Sequence, residues 1–274
     1  MKFLAFDTST DVMSIALSGD APGGRVWQHT GPGGAKSSTT LIPAILALLA
    51  ESGLALGDLD AIVFGRGPGS FTGLRTACAV AQGLAFGANQ GAGIKVLPID
   101  TLMAVAEEAR FQQSNGSGDF ANASTLQVTA LLDARMDEMY VQRYEFTAGQ
   151  CRQLSECVLI RPENLVLDDA AGLLAGNVFG VYADRLPSGL AGFTCVEALP
   201  TATAMLRLAP KLAAAGQCVD AALALPLYIR DKVAFTTEER ALAKEEKAQA
   251  ALLALTALTA LANPVAANDS ANSN

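Results

Sequence analysis

Two acidic residues close apolar runs in this sequence, Asp7 in FLAFDTST and Asp133 in TLQVTALLDARMDEMY. A carboxylate at the end of each of two strands can hold a metal–phosphate between two lobes, because magnesium takes one or two carboxylates and leaves its other positions to phosphate. The same residues also serve as turn caps with no chemistry. Between them, residues 65–86 read GRGPGSFTGLRTACAVAQGLAF, a glycine-rich turn feeding a helix. A phosphate loop needs GxxxxGK[ST], so that lysine reaches the phosphates and a hydroxyl holds magnesium. No glycine here is followed five positions on by Gly-Lys, and Arg75 is the nearest cation. The dinucleotide pattern GxGxxG fails as well, since Thr72 stands where the third glycine belongs. What the residue types do explain is geometry. Pro68 fixes φ, and Gly67 and Gly69 open conformations closed to other residues. Ser70 or Thr72 is placed to cap the helix. Gly73, Ala77, Ala81 and Ala85 then recur every four residues, a shallow stripe that lets another helix approach closely. Anion binding at the helix N-terminus stays open as the alternative.

The rest of the composition narrows the chemistry. His29 is the only histidine, which removes every site needing two. The five cysteines, Cys78, Cys151, Cys157, Cys195 and Cys218, form no CxxC and indicate neither a disulfide framework nor a zinc site. A formal net charge of −8 suits a stand-alone nucleic-acid binder poorly, because such affinity comes from Lys and Arg neutralising phosphates. The N-terminus carries Asp7 where a signal peptide would be apolar, so a cytoplasmic chain is expected. The uncharged stretch 248–268 holds polar residues and a one-sided leucine pattern, and reads as an amphipathic helix, not a membrane span.

These residues need elements to position them. FLAFD and VMSIALSG predict a hairpin, and GGRVWQHT a third strand. STTLIPAILALLAESG has apolar residues on both sides of a helix, with Gly53 as its stop. LDAIVFG and IKVLPI predict strands on either side of the glycine-rich segment, and TLMAVAEEAR a helix. This is an α/β lobe with a mixed sheet, assigned to residues 1–110, followed by a polar linker over 111–124. The second lobe, 125–235, is expected to hold strands at TLQVTALLDA, EMYVQRYEF and NVFGVYAD, a short helix at RPENLVLD and a helix at TATAMLRLAPKLAAAG. Thr236 and Glu239 form a capping box opening an alanine-rich helix over 236–262, and 263–274 reads as a disordered tail.

FLAFDTST, the glycine-rich segment, LLDARMDEMY and LPLYIRDKVA together resemble the TsaB family, also called YeaZ, over most of the chain, to about Ala234. The resemblance implies the two-lobed α/β fold of actin, Hsp70 and sugar kinases (ASKHA), mixed sheets flanked by helices, with a degenerate nucleotide cleft. It implies a non-catalytic scaffold in synthesis of N6-threonylcarbamoyladenosine in tRNA. The partners are TsaD, which transfers the threonylcarbamoyl group, and the ATPase TsaE; tRNA is met only through the complex, and the chain pairs with itself when TsaD is absent. No cofactor is required by this chain, and ATP or ADP, threonylcarbamoyl-AMP and metal are expected on the partners. Contact is implied through helices 38–52 and 72–88, assigned here to Leu41, Ile45, Leu48, Ala77, Ala81, Leu84 and Ala85, with Gly67, Pro68, Gly69 and Gly73 shaping the turn. The alternative is a stand-alone ATPase or small-molecule kinase using Asp7 and Asp133. Two departures stand out. Ser37 and Ser38 occupy positions where the family often has His-Ser, and the segment beyond Ala234 is longer than the family pattern.

Overall fold

A computed structural model describes residues 1–19, 24–115, 125–148, 150–167 and 172–230. Met1–Ile229 form one compact unit. The capping box, helix and tail expected from 236 onward lie outside the described residues.

The first lobe runs β1 (Phe3–Asp7), β2 (Val12–Ser18), β3 (Val26–Pro32), α1 (Ser37–Ser52), β4 (Ala61–Gly67), α2 (Phe71–Gly87), β5 (Lys95–Asp100) and α3 (Thr101–Asn115). Its sheet has the order β3-β2-β1-β4-β5. The first three strands pair antiparallel, whereas β4 and β5 add parallel beside β1. β1 is buried at every residue, which is why FLAFD reads as an unbroken apolar run and not as an alternation.

The second lobe runs β6 (Thr125–Asp133), β7 (Met139–Thr147), β8 (Gln150–Gln153), β9 (Val158–Ile160), β10 (Leu173–Gly176), β11 (Thr194–Glu197) and α4 (Ala202–Ala214). The order β11-β10-β6-β7-β8 is that of the first sheet repeated, with three antiparallel strands and two parallel ones, and a sixth strand, β9, pairs antiparallel with β7. Asp7 and Asp133 therefore end equivalent strands. Three expectations change. The helix α3 continues to Asn115, five residues into the expected linker. The strand expected at NVFGVYAD lies earlier, at Leu173–Gly176, and RPENLVLD yields only a 3-10 turn, Pro162–Asn164.

The helices α3 and α4 lie between the sheets and join the lobes. Phe3, Ala5 and Val63 share one buried cluster with Val128, Ala130 and Tyr144, bridged by Leu102 and Val105 of α3 and Met205 of α4. A polar strip reinforces the helix pair. Glu107 accepts from Arg110 (2.7 and 2.8 Å) and Arg207 (2.8 Å), while Glu108 accepts from Arg207 and Thr201 (both 2.7 Å). Alternate residues of β1 point the other way: Leu4 and Phe6 join Ile15, Ile62 and Phe64 beneath α1 and α2.

Candidate functional site

Asp7 is fully buried at the mouth of the first lobe. Its Oδ1 accepts the Ser9 N–H at 2.8 Å and the Ser9 hydroxyl at 2.6 Å, whereas Oδ2 is buried without a hydrogen-bond partner. Burial lifts its pKa to about 6 against the two Ser9 bonds, which favour the carboxylate. The carboxyl is walled in. A Cβ at Gly65 would stand 1.8 Å from Oδ2 and 3.0 Å from the Met205 methyl of α4.

The glycine-rich turn is filled by the chain itself. Ser70 N–H donates to the Ser9 carbonyl at 2.7 Å, and the Thr8 hydroxyl donates to the Gly73 carbonyl at 2.7 Å. A side chain at Gly73 would meet the Thr8 carbonyl oxygen at 1.8 Å, and one at Gly69 would meet Ser9 at 2.6 Å. Gly67, at φ +123 and followed by a cis bond to Pro68, turns the chain where the Leu227 N–H donates to the Arg66 carbonyl at 2.7 Å. Ser70 is the residue before the first turn of α2, but its side chain makes no capping bond. The glycines thus admit neighbouring backbone, and leave no cradle for phosphate at those positions.

Asp133 is engaged from several sides. Oδ1 accepts from the Tyr182 hydroxyl at 2.7 Å and the Arg135 N–H at 2.9 Å, and Oδ2 lies 3.2 Å from the Arg135 guanidinium. The same guanidinium reaches Asp11 on the β1–β2 turn, an ion pair between the lips of the two lobes. Arg135, Met136 and Asp137 all take left-handed φ near +60. Burial and the Asp133 bond push the Tyr182 hydroxyl's pKa up. The structure thus places Asp7 and Asp133 at matching strand ends, one sealed and one paired. Among the described residues, no cluster of three or more His, Cys, Asp or Glu is placed to hold a metal ion.

The helices α1 and α2 place the residues assigned to partner contact from sequence on their inner side. Leu41, Ile45, Leu48, Ala77, Ala81 and Ala85 are at most 6% exposed and pack against the chain's own sheet, with Leu84 half-buried on the same cluster. The small-residue stripe of α2 faces inward for the same reason: the sheet claims the most regular apolar stripe first. What remains outside is a second apolar face. Ile42, Leu46 and Phe86 are 45%, 52% and 73% exposed, accompanied by Pro43, Ala47, Ala50, Ala79 and Gly83. The 16 residues of α1 and the 17 of α2 carry one charge each, Glu51 and Arg75, in a chain that is 17% charged. Charge depletion around exposed apolar side chains is the signature of an interface core. Ile42 and Leu46 were visible as the second apolar side of α1. Phe86, at the end of α2, was the signal left unused.

Comparison with known proteins agrees across most of the chain. The family model of TsaD, tRNA N6-adenosine threonylcarbamoyltransferase, matches residues 29–273. The tRNA threonylcarbamoyladenosine biosynthesis protein TsaB of Haemophilus influenzae is 32% identical over 246 residues, covering 85% of this chain and 95% of that protein. The TsaB of Escherichia coli is 32% identical over 243 residues, covering 86% and 97%. YeaZ from Pseudomonas aeruginosa superposes with a TM-score of 0.68 at 35% identity, over 83% of this chain and 99% of that one. A second structure, described as an uncharacterized protein with similarity to peptidase YeaZ from that organism, gives 0.69 at 35%, over 84% and 99%. With two mixed sheets of one strand order and these relatives matched over most of their length, the chain belongs to the TsaB (YeaZ) family.

Proposed function

We propose that this chain is the non-catalytic partner subunit in synthesis of threonylcarbamoyladenosine in tRNA, docking on a TsaD-type transferase through the exposed face of α1 and α2. The uncharged outer face around Ile42, Leu46 and Phe86 carries the reading. A single family model covers this chain and the transferase, so the partner is expected to offer a helix pair in the same place, and two such faces can stack as a four-helix layer. A second copy of this chain would use the same face when the transferase is absent. The sealed Asp7 and the paired Asp133 support a role without group transfer of its own. ATP, metal and threonylcarbamoyl-AMP then belong to the partners, TsaE included, and tRNA contact to the assembled complex, since a net charge of −8 offers little for phosphates. No described helix is long and apolar enough to cross a membrane, and a tRNA-modifying assembly works in the cytoplasm.

The test is light scattering after size exclusion of the chain mixed with its TsaD-type relative. The native pair should elute as a stoichiometric complex. Ile42→Asp should fold normally and bind about 100-fold more weakly, the equivalent of roughly 3 kcal/mol. Ile45→Asp should instead fail to fold, because it drives a charge beneath the sheet. Two separate species with TsaE and nucleotide present, or an Ile42→Asp chain binding like the native one, would refute the proposal.

A further inference from the structure

Beyond β11 and α4 the chain returns to the first lobe as a strap, residues 220–228, that opens with a 3-10 turn at Ala221–Leu223 and then runs antiparallel along one flank of α2. Ala224 is buried there, and its carbonyl accepts from the Cys78 thiol (3.2 Å) and Gln82 Nε2 (2.8 Å). Four residues on, the Tyr228 ring packs against Phe71 with centroids 5.2 Å apart. Ala224 is buried between Leu223 and Leu225, which are each 66% exposed. The strap presents apolar groups outward beside a helix that does the same.

Arg75 sits at the seam. At 3.6 residues per turn, Thr72, Arg75, Ala79, Gly83 and Phe86 fall within an arc of about 80° on α2, with Arg75 on the strap side. Its guanidinium lies 3.6 Å over the Phe71 ring, and its Nε donates to the Tyr228 hydroxyl at 3.1 Å. The side chain has no carboxylate partner among the described residues, although the chain carries an excess of acidic groups. Stacking and the Tyr228 bond fix the guanidinium plane and leave its two terminal nitrogens for another acceptor. A guanidinium held in this way loses little further freedom on binding and matches a carboxylate with two parallel bonds.

We propose that the docking face has a third wall, the 220–228 strap, and that Arg75 is its charged anchor, taking a carboxylate from the transferase partner. This rests on the docking function proposed above. A protein occupant is favoured over a small anion because the guanidinium stands on a convex helix, continuous with exposed Phe86 on one side and Leu225 on the other. Orientation follows from it: α1 supplies apolar knobs at one edge of the face, and the only cation of the two helices marks the opposite edge.

Calorimetric titration of the chain with its purified TsaD-type relative, at low and high salt, tests this. Arg75→Glu should weaken binding about 30-fold and remove much of its salt dependence. Arg75→Lys should recover only part, since it keeps the charge without the fork. Leu225→Asp should weaken binding by about tenfold through the strap alone. Melting curves accompany each variant, and Leu225→Asp decides the matter if Arg75→Glu does not fold. If folded Arg75→Glu and Leu225→Asp bind within threefold of the native chain while Ile42→Asp does not bind, the third wall falls and the two-helix reading stands. If the native chain does not bind, both fall. If Arg75→Glu keeps partner affinity but the assembled complex loses tRNA, the acceptor is a phosphate and the proposal is overturned.

Discussion

The two sheets share one strand order, but their outer faces are finished differently. Over the first, the links β3–β4 and β4–β5 are the helices α1 and α2, 16 and 17 residues long. Over the second, the described parts of the matching links hold the short strand β9 and 3-10 turns but no α-helix, and Leu165, Val178 and Tyr182 cover Leu131, Met139 and Leu174 from loops. The inner links match, since α3 and α4 each follow the last strand of their sheet and meet in the shared core. Loops close a sheet face but offer no long regular surface. The helix-covered lobe is the one that retains a broad apolar exterior. The cleft ends of the lobes diverge too: the first-strand carboxylate is buried with an unpartnered oxygen in one lobe and held by Arg135 and Tyr182 in the other. Regular helices beside a closed cleft are the features on which the proposed docking role of this lobe rests.

The largest expected effect probes how the first lobe seats those helices. Gly73→Ala puts a methyl against the Thr8 carbonyl, a backbone atom that cannot swing away, and should cost about 4 kcal/mol or more. Gly83→Ala, ten residues along the same helix, meets nothing within 4 Å and should gain about 0.5–1 kcal/mol from helix propensity. Urea denaturation of the two variants measures both. Equal effects would mean that the start of α2 is not clamped to the β1–β2 turn, and the contrast with the loop-covered lobe would lose its basis.

How far this was legible follows from particular residues. β1, β2, β4 and β5 and all four described helices were legible as apolar runs or periods, because each buries an apolar face, whereas β3 has no fully buried residue. β8, β9 and β11 did not: QCRQ, VLI and TCVE are three or four residues long and carry little pattern of their own. NVFGVYAD looked like a strand because Val178 and Tyr182 are apolar, yet they point from a turn into the loop-side core. The residues assigned to partner contact lie on the face that packs against the chain's own sheet. A helix apolar on two sides does not declare which side the sheet will take, and Ile45 and Ile42 differ only in phase. The seal on Asp7 depends on Met205, nearly 200 residues away, and no local signal announces it.

A middle-sized effect separates the two carboxylates. Free Asp titrates near 3.8, whereas Asp7 in the folded chain titrates near 6. Between those values the folded state holds a proton that the unfolded state has released. The stability this group adds is complete below about pH 3.8 and is lost as pH rises through 6. Through Asp7 alone the chain should be less stable at pH 7.5 than at pH 5, by on the order of 1 kcal/mol. Asp7→Asn should remove that slope while keeping the Oδ1 bonds to Ser9, which urea denaturation at the two pH values would show. An unchanged slope in Asp7→Asn would mean that the carboxyl is not sealed as described, and the two strand ends would no longer differ in kind.

The smallest effect lies where the lobes touch at the cleft. Arg135 and Asp11 form their ion pair with side chains 67% and 78% exposed. Exposed pairs couple by about 0.2–1 kcal/mol, and salt lowers that further. A double-mutant cycle on Arg135→Ala and Asp11→Ala should therefore return a coupling within this range, smaller at high salt. The lobes are already joined by buried α3 and α4, so the bridge has little left to hold. A coupling above about 2 kcal/mol would place real cohesion at the lips of the cleft. The closed cleft would then be a structural joint in its own right, and the helix-covered face could no longer be taken as the chief feature that separates one lobe from the other.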